Sequence, residues 1–197
     1  MSALILVDLQ NDFMPGGALA VKGGDEVTPR IQELLQGSFD HRVATKDWHP
    51  ADHMSFAVNH RKMPGETIMD QGVEQILWPV HCLQGSQGAA FYPGWESSQV
   101  QKIFYKGTDR SVDSYSCFFD MHRHKSTGLE DYLKRHRVRY LTIAGLATDY
   151  CVLYSALDAR ELGFEVKVDL KGCRGVELHP GDVAQAIQKM REVGVEI

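Results

Sequence analysis

Tyr140-Leu141-Thr142-Ile143-Ala144-Gly145-Leu146-Ala147-Thr148-Asp149-Tyr150-Cys151-Val152 decides how this chain folds. Tyr140 to Ala144 is an apolar, strand-like run. From Val152 to Leu162 the pattern turns amphipathic and helical, and Gly163 closes it. The thiol of Cys151 therefore falls where a strand ends and a helix begins. Unpaired backbone N–H groups and the positive end of a helix dipole stabilise a thiolate at such a junction. A packing cysteine has no need of that position, whereas a nucleophile does.

The same alternation extends in both directions. Ala3–Val7 is a near-continuous apolar run, as expected for a strand buried on both faces. Helical spacing follows at Val27, Ile31, Leu34 and Leu35. His41–Thr45 and Ile103–Tyr105 read as strands, Leu129–His136 as a helix, and Glu165–Leu170 as a strand. Pro180 opens a helix to about Val193, and Val195–Ile197 starts a last strand. The expected fold is α/β and three-layered, Rossmann-like, with a central, mostly parallel sheet of about six strands and helices on both faces. Residues 1–197 form one domain in this reading. Only the stretch from Trp48 to Gln101 breaks the rhythm, being rich in Gly, Pro, His and Gln. A long irregular segment in a compact domain is usually functional, so 48–101 is expected to be an insertion that folds over the sheet edge and builds the active site.

Bulk properties narrow the partners. A chain of 197 residues has room for a sizeable core. Its net charge of -5 argues against nucleic acid and favours a small neutral or weakly charged substrate. No apolar run is long enough for a bilayer, and the N-terminus lacks a signal-peptide pattern, so a membrane is not expected and the cytoplasm is. Cys82, Cys117, Cys151 and Cys173 lack Cys-x-x-Cys spacing and are expected to stay reduced, all but Cys151 serving packing. Gly16-Gly17 and Gly23-Gly24 do not form Gly-x-Gly-x-x-Gly after a strand, which counts against NAD as a cofactor. Oligomeric state is left open, a homo-oligomer included.

Three strand-ending residues stand out as a set. Asp8 follows Leu4–Val7, Lys106 follows Ile103–Tyr105, and Cys151 follows the strand at Tyr140. Ligands of open parallel sheets bind beyond the carboxyl ends of the strands, so the three can converge. A carboxylate to take the thiol proton, an ammonium to hold the charges and a sulfur nucleophile make a coherent unit. Taken singly, each has a plain structural alternative: a turn cap, a solvated lysine, a small core hydrophobe.

A second group looks metallic. Asp47-Trp48-His49 places a carboxylate and an imidazole on alternate positions of a strand end, and His81 in Trp78-Pro79-Val80-His81-Cys82 supplies a third donor. One carboxylate and two imidazoles suit a catalytic zinc, iron or manganese ion, although Asp-x-His also arises by chance. His53 and Ser55 follow closely and can hold the ligands from behind. The other histidines, from His41 to His179, show no such context and are expected mostly at the surface. Phe13, Trp78 and Tyr115 are candidate walls for a planar ring.

These segments, with Val7-Asp8-Leu9-Gln10-Asn11-Asp12-Phe13, Asp47-Trp48-His49-Pro50, Lys106-Gly107-Thr108-Asp109, Asp113-Ser114-Tyr115-Ser116 and Asp169–Val176, resemble the nicotinamidases, a branch of the isochorismatase-like cysteine hydrolases. The likeness runs in order along almost the whole chain. It implies Asp8 as general base, Lys106 as charge-stabilising partner and Cys151 as nucleophile. It implies Asp47, His49 and His81 as ligands of one divalent metal, zinc favoured, that contacts a pyridine nitrogen. Backbone N–H groups of Ala147 and Cys151 would form the oxyanion hole beside a cis peptide at Leu146–Ala147. Phe13 and Trp78 would sandwich the ring, with Tyr115 nearby and Ser55 behind the metal. The implied reaction is hydrolysis of nicotinamide to nicotinate and ammonia through a cysteine thioester, in NAD salvage, with pyrazinamide a second substrate. The rivals are an amidase for another small amide, a non-catalytic metal- or ligand-binding protein, and a thiol redox sensor.

Overall fold

Ala3, Leu4, Ile5, Leu6 and Val7 are each 0% exposed. Alternate side chains of a strand point to opposite faces, so the first strand is covered on both. The computed structural model describes all residues from Met1 to Ile197. Its strands are β1 (Ser2–Val7), β2 (His41–Asp47), β3 (Thr67–Asp70), β4 (Val73–Ile76), β5 (Lys102–Lys106), β6 (Tyr140–Leu146) and β7 (Glu165–Arg174). Helices α1 (Thr28–Leu35), α2 (Leu129–Arg135), α3 (Leu153–Glu161) and α4 (Asp182–Glu192) fall between or after them. The central sheet runs β5-β2-β1-β6-β7, every pairing parallel. The core is continuous from this sheet to Leu129 and Leu133 of α2, Ala156 of α3 and Met190 of α4.

Two expectations change. The sheet has five strands rather than about six, because Val195–Ile197 contributes only the Lys167↔Glu196 bridge. Gly194, at φ 80°, turns the chain out of α4 just before this bridge. Second, the helix expected from Val152 is preceded by a π-helical turn, Thr148–Val152, in which the Ala147 carbonyl accepts from both Tyr150 N (3.1 Å) and Val152 N (3.0 Å). The segment 48–101 contains the separate hairpin β3–β4, turned at Gln71 (φ 46°) and Gly72 (φ 86°). Two consecutive positive φ values suit the right-handed twist of a two-residue hairpin loop.

Register positions the chemistry. Asp47 of β2 is the direct partner of Lys106 of β5, so their side chains share a face. Asp8 leaves β1 at φ 50°, and the β6 end passes through a cis peptide at Leu146–Ala147. Asp8, Asp47, Lys106 and the turn that carries Cys151 thus stand at the carboxyl edges of neighbouring strands. Gly145 makes that edge tight: a Cβ there would stand 2.1 Å from Val7 O. Gly145→Ala is expected to lower the unfolding free energy on the order of 3 kcal/mol. The measurement is a urea titration, and a midpoint equal to that of the unsubstituted protein would show that β1 and β6 separate freely.

Candidate active site

Lys106 is the centre of the site. Its side chain is fully buried, with Nζ 2.9 Å from Asp8 Oδ2, hydrogen-bonded to Asp47 Oδ1, and 3.3 Å from Cys151 Sγ. The Ser114 carbonyl accepts a further bond at 3.2 Å. Burial opposes the ammonium charge, but Asp47 and Asp8 outweigh it and hold the pKa well above that of an ordinary lysine. A buried cation without such partners would lose its proton.

Asp8 is held by Thr45, whose Oγ1 donates to Asp8 Oδ1 at 2.7 Å and accepts from Asp8 N at 3.3 Å. The other oxygen, Oδ2, faces Lys106 off the axis of a hydrogen bond and has no aligned donor. Burial pushes this carboxyl above its usual value despite Lys106. That combination, a free lone pair on a raised carboxylate, suits a group that must take and return a proton. Cys151 and Asp8 each offer an atom, with Asp47, in a group spanning no more than 4.8 Å. Lys106 already occupies the centre of this group, which therefore has no room for a metal.

The thiol differs from the expectation set by its position. Burial pushes Cys151 well above its ordinary value; Lys106 lowers it, while Asp8 and Asp47 raise it. Burial outweighs the ammonium, and the two carboxylates add to it, so the resting sulfur keeps its proton. Ala147 N–H makes no hydrogen bond within the protein and lies in the lining of the same cleft as Cys151. Asp149 ties the turn down by accepting from Val176 N at 2.9 Å and Glu177 N at 2.7 Å.

A second cluster shares Asp47. Its Oδ2 lies 3.8 Å from His49 Nε2 and 4.0 Å from His81 Nε2. Each imidazole has its Nδ1 engaged by a carbonyl, Gly107 O for His49 (2.9 Å) and Pro79 O for His81 (2.8 Å). Those contacts fix Nδ1 as the protonated nitrogen and leave Nε2 as a lone-pair donor. Donors about 2.1 Å from one ion stand at most about 4.2 Å apart, so the three residues fit a divalent metal. Burial, with His49 next, lowers His81 to about 4, which keeps it neutral as a ligand must be.

His53 and Ser55 also gather here. Ser55 Oγ is 2.8 Å from His53 Nδ1, and the Ser55 carbonyl accepts from Trp78 N at 2.7 Å. His53 Nε2 is buried without a partner, and its ring centroid lies 4.1 Å from that of His49. With Asp113 these two imidazoles form another close group. Ser55 thus supports His53 and Trp78 rather than touching the ligands themselves.

Phe13, Trp78 and Tyr115 line one cleft together with Cys151, Ala147 and the metal-ligand cluster. Trp78 Nε1 donates to Tyr115 Oη at 3.0 Å. Sequence spacing gives no role to Thr45, Gln10, Asp113 or Tyr150. Gln10 accepts from Asp47 N and donates to Asp47 O, both at 2.8 Å. A signal existed for Thr45, which shares a face with Asp47 two residues on. Of the remaining histidines only His124 and His179 are exposed; His122, for example, pairs with Asp70 at 2.7 Å.

The isochorismatase domain model matches residues 2–197. The chain belongs to the isochorismatase domain family. The nicotinamidase of Escherichia coli (strain K12) is 44% identical over 198 residues, covering 99% of this chain and 93% of the relative. Among solved structures, an Acinetobacter baumanii nicotinamidase pyrazinamidease superposes with a TM-score of 0.95 at 43% identity, covering 99% of this chain and 94% of its own. A Pyrococcus horikoshii pyrazinamidase in complex with zinc gives a TM-score of 0.80 at 35% identity, covering 100% and 97%.

The protonated resting thiol has a direct consequence for this family member. Its pKa is raised, so the thiolate fraction is small at neutrality and grows only above the ordinary thiol range. Alkylation of Cys151 by iodoacetamide, followed by peptide mass spectrometry, is expected to accelerate continuously through about pH 9. A rate plateau near neutrality would reveal a preformed thiolate.

Proposed function

We propose that the protein is an amide hydrolase converting nicotinamide to nicotinate and ammonia, with pyrazinamide a second substrate. The observation that carries this reading is the buried Lys106 ammonium, in reach of Asp8, Asp47 and Cys151, the last two of which line an aromatic cleft. The full-length similarity to the Escherichia coli nicotinamidase supports the choice of amide. In this reading residues 1–197 act as one domain and 48–101 is the insertion that brings His49, His81 and Trp78 to the site. Four buried, free cysteines suit a reducing compartment such as the cytoplasm.

Asp8 takes the proton of Cys151 as Sγ attacks the carboxamide carbon. Lys106 holds its charge between the two, so the proton moves without a net change of charge in the buried cluster. The N–H groups of Ala147 and Cys151 receive the developing oxyanion; losing one such donor typically costs about 2.7–4 kcal/mol. Asp8 then returns the proton to the leaving nitrogen, and ammonia departs from a Cys151 thioester. Water adds to the thioester carbonyl, giving its proton to Asp8, and the acid leaves as Cys151 recovers its thiol. Phe13, Trp78 and Tyr115 hold the ring.

Asp47, His49 and His81 would hold one divalent ion, zinc in first place, as in the complex of the Pyrococcus horikoshii relative. When bound, that ion supplies a Lewis-acid contact for the ring nitrogen.

Cys151→Ala is expected to reduce ammonia release from nicotinamide more than about 10³-fold with an unchanged circular dichroism spectrum. Turnover retained by the variant would remove the nucleophile from the scheme. Dialysis against a chelator should raise the KM for nicotinamide, and added zinc should restore it. Full affinity in metal-free protein would show that the Asp47 cluster serves another purpose.

A further inference from the structure

The β3–β4 hairpin is nearly all surface. Thr67, Met69, Val73 and Glu74 are exposed, and its strands pair only with each other. Gln75 is its one buried side chain, 2% exposed. Such a hairpin has too little apolar burial to hold itself against the protein, so its polar anchors decide where it lies.

Gln75 is the anchor nearest the cleft. Its Nε2 lies 2.9 Å from Asp113 Oδ2, 3.3 Å from Tyr115 Oη and 2.6 Å from the neighbouring Ile76 carbonyl, and its two N–H bonds are shared among the three. Asp113 is buried, and its other oxygen accepts only from Ser114 N, at 2.8 Å, so Gln75 is its sole side-chain donor. Asp113 and Tyr115 both line the ring cleft, and Tyr115 also accepts from Trp78. At the far end the hairpin is held by Asp70, paired with His122. The chain beyond Gln75 runs through Ile76 and buried Leu77 straight into Trp78.

We propose that Gln75 is a positioning residue for the ring cleft: its amide fixes the Asp113 carboxylate and the Tyr115 phenol, and so makes substrate affinity depend on the docked hairpin. This rests on the reading of the cleft as the nicotinamide site. Removing the amide leaves one oxygen of a buried carboxylate without a donor and takes from the phenol one of its two donors, leaving Tyr115 held by Trp78 alone. The reacting atoms at Cys151, Asp8 and Lys106 are not touched, so binding suffers rather than chemistry.

The test is steady-state kinetics with nicotinamide on the unsubstituted protein and on Gln75→Ala, Gln75→Glu and Asp70→Asn, with hydrogen exchange by mass spectrometry on each. Gln75→Ala should raise KM about tenfold and leave kcat within about threefold. Gln75→Glu keeps the size but sets an acceptor against Asp113, so its KM should rise further. Asp70→Asn releases the tip alone and should keep KM within about twofold. Gln75→Glu with an unchanged KM, a kcat loss at constant KM, or Asp70→Asn as defective as Gln75→Glu would each overturn the proposal. Exchange decides the anchoring role without turnover. Amides of 67–76 should exchange about tenfold faster in the Gln75 variants while those of β1 and β6 do not change, and equal hairpin exchange would overturn it. An unsubstituted protein that releases no ammonia would refute the nicotinamidase reading instead, leaving exchange to judge Gln75.

Discussion

A fully buried ammonium needs anions beside it, and those anions need the ammonium. Lys106, Asp8 and Asp47 satisfy one another in a space closed to water, and removing any one would leave an uncompensated charge. The surplus of one carboxylate has two effects. It adds to the burial that keeps the sulfur of Cys151 protonated at rest, and it leaves Asp47 Oδ2 free to serve the two imidazoles. Proton chemistry and ligand chemistry are thus joined through the two oxygens of one side chain. Burial opposes the charge of Asp47, but Lys106 and then His49 outweigh it and hold this carboxyl far below the usual range, so it stays ionised for both tasks.

Backbone pairing enforces this arrangement. Asp47 and Lys106 meet because β2 and β5 pair in that register, and a slip of one residue would send one side chain to the opposite face. Where β1 ends, Gln10 takes over the ladder by bonding both backbone groups of Asp47. Asp8 is then free to turn inward at φ 50° while β2 stays straight.

The parallel sheet was legible because its strands are apolar on both faces and end in polar residues, as in Ala3–Val7 followed by Asp8. The hairpin was not, because its strands bury one side chain, Gln75, and a surface hairpin has no periodicity to read. Its turn, Gln71-Gly72, lacks the usual Asn or Asp before glycine. The motif residues of the site were visible as types at strand ends. Gln10 was not, since an amide acting on a neighbour's backbone leaves no mark in sequence spacing, and Thr45 showed only through the face it shares with Asp47. The state of the thiol was also out of reach. It depends first on how deeply the sulfur is buried and then on the charges around it, and both are set by neighbours in space.

The spatial order β5-β2-β1-β6-β7 has a temporal meaning as well. Asp8, Asp47, Lys106 and Cys151 come from the ends of four adjoining strands that emerge from the ribosome in the order β1, β2, β5, β6. In chain order each of these strands lies beside one already made, first on one side of β1 and finally on the other. Parallel pairings of this kind close long loops and form late in folding. The sulfur is the last of the four to arrive, and the lysine that will face it is in the chain before it. A growing chain therefore carries no assembled nucleophile until the sheet is nearly complete.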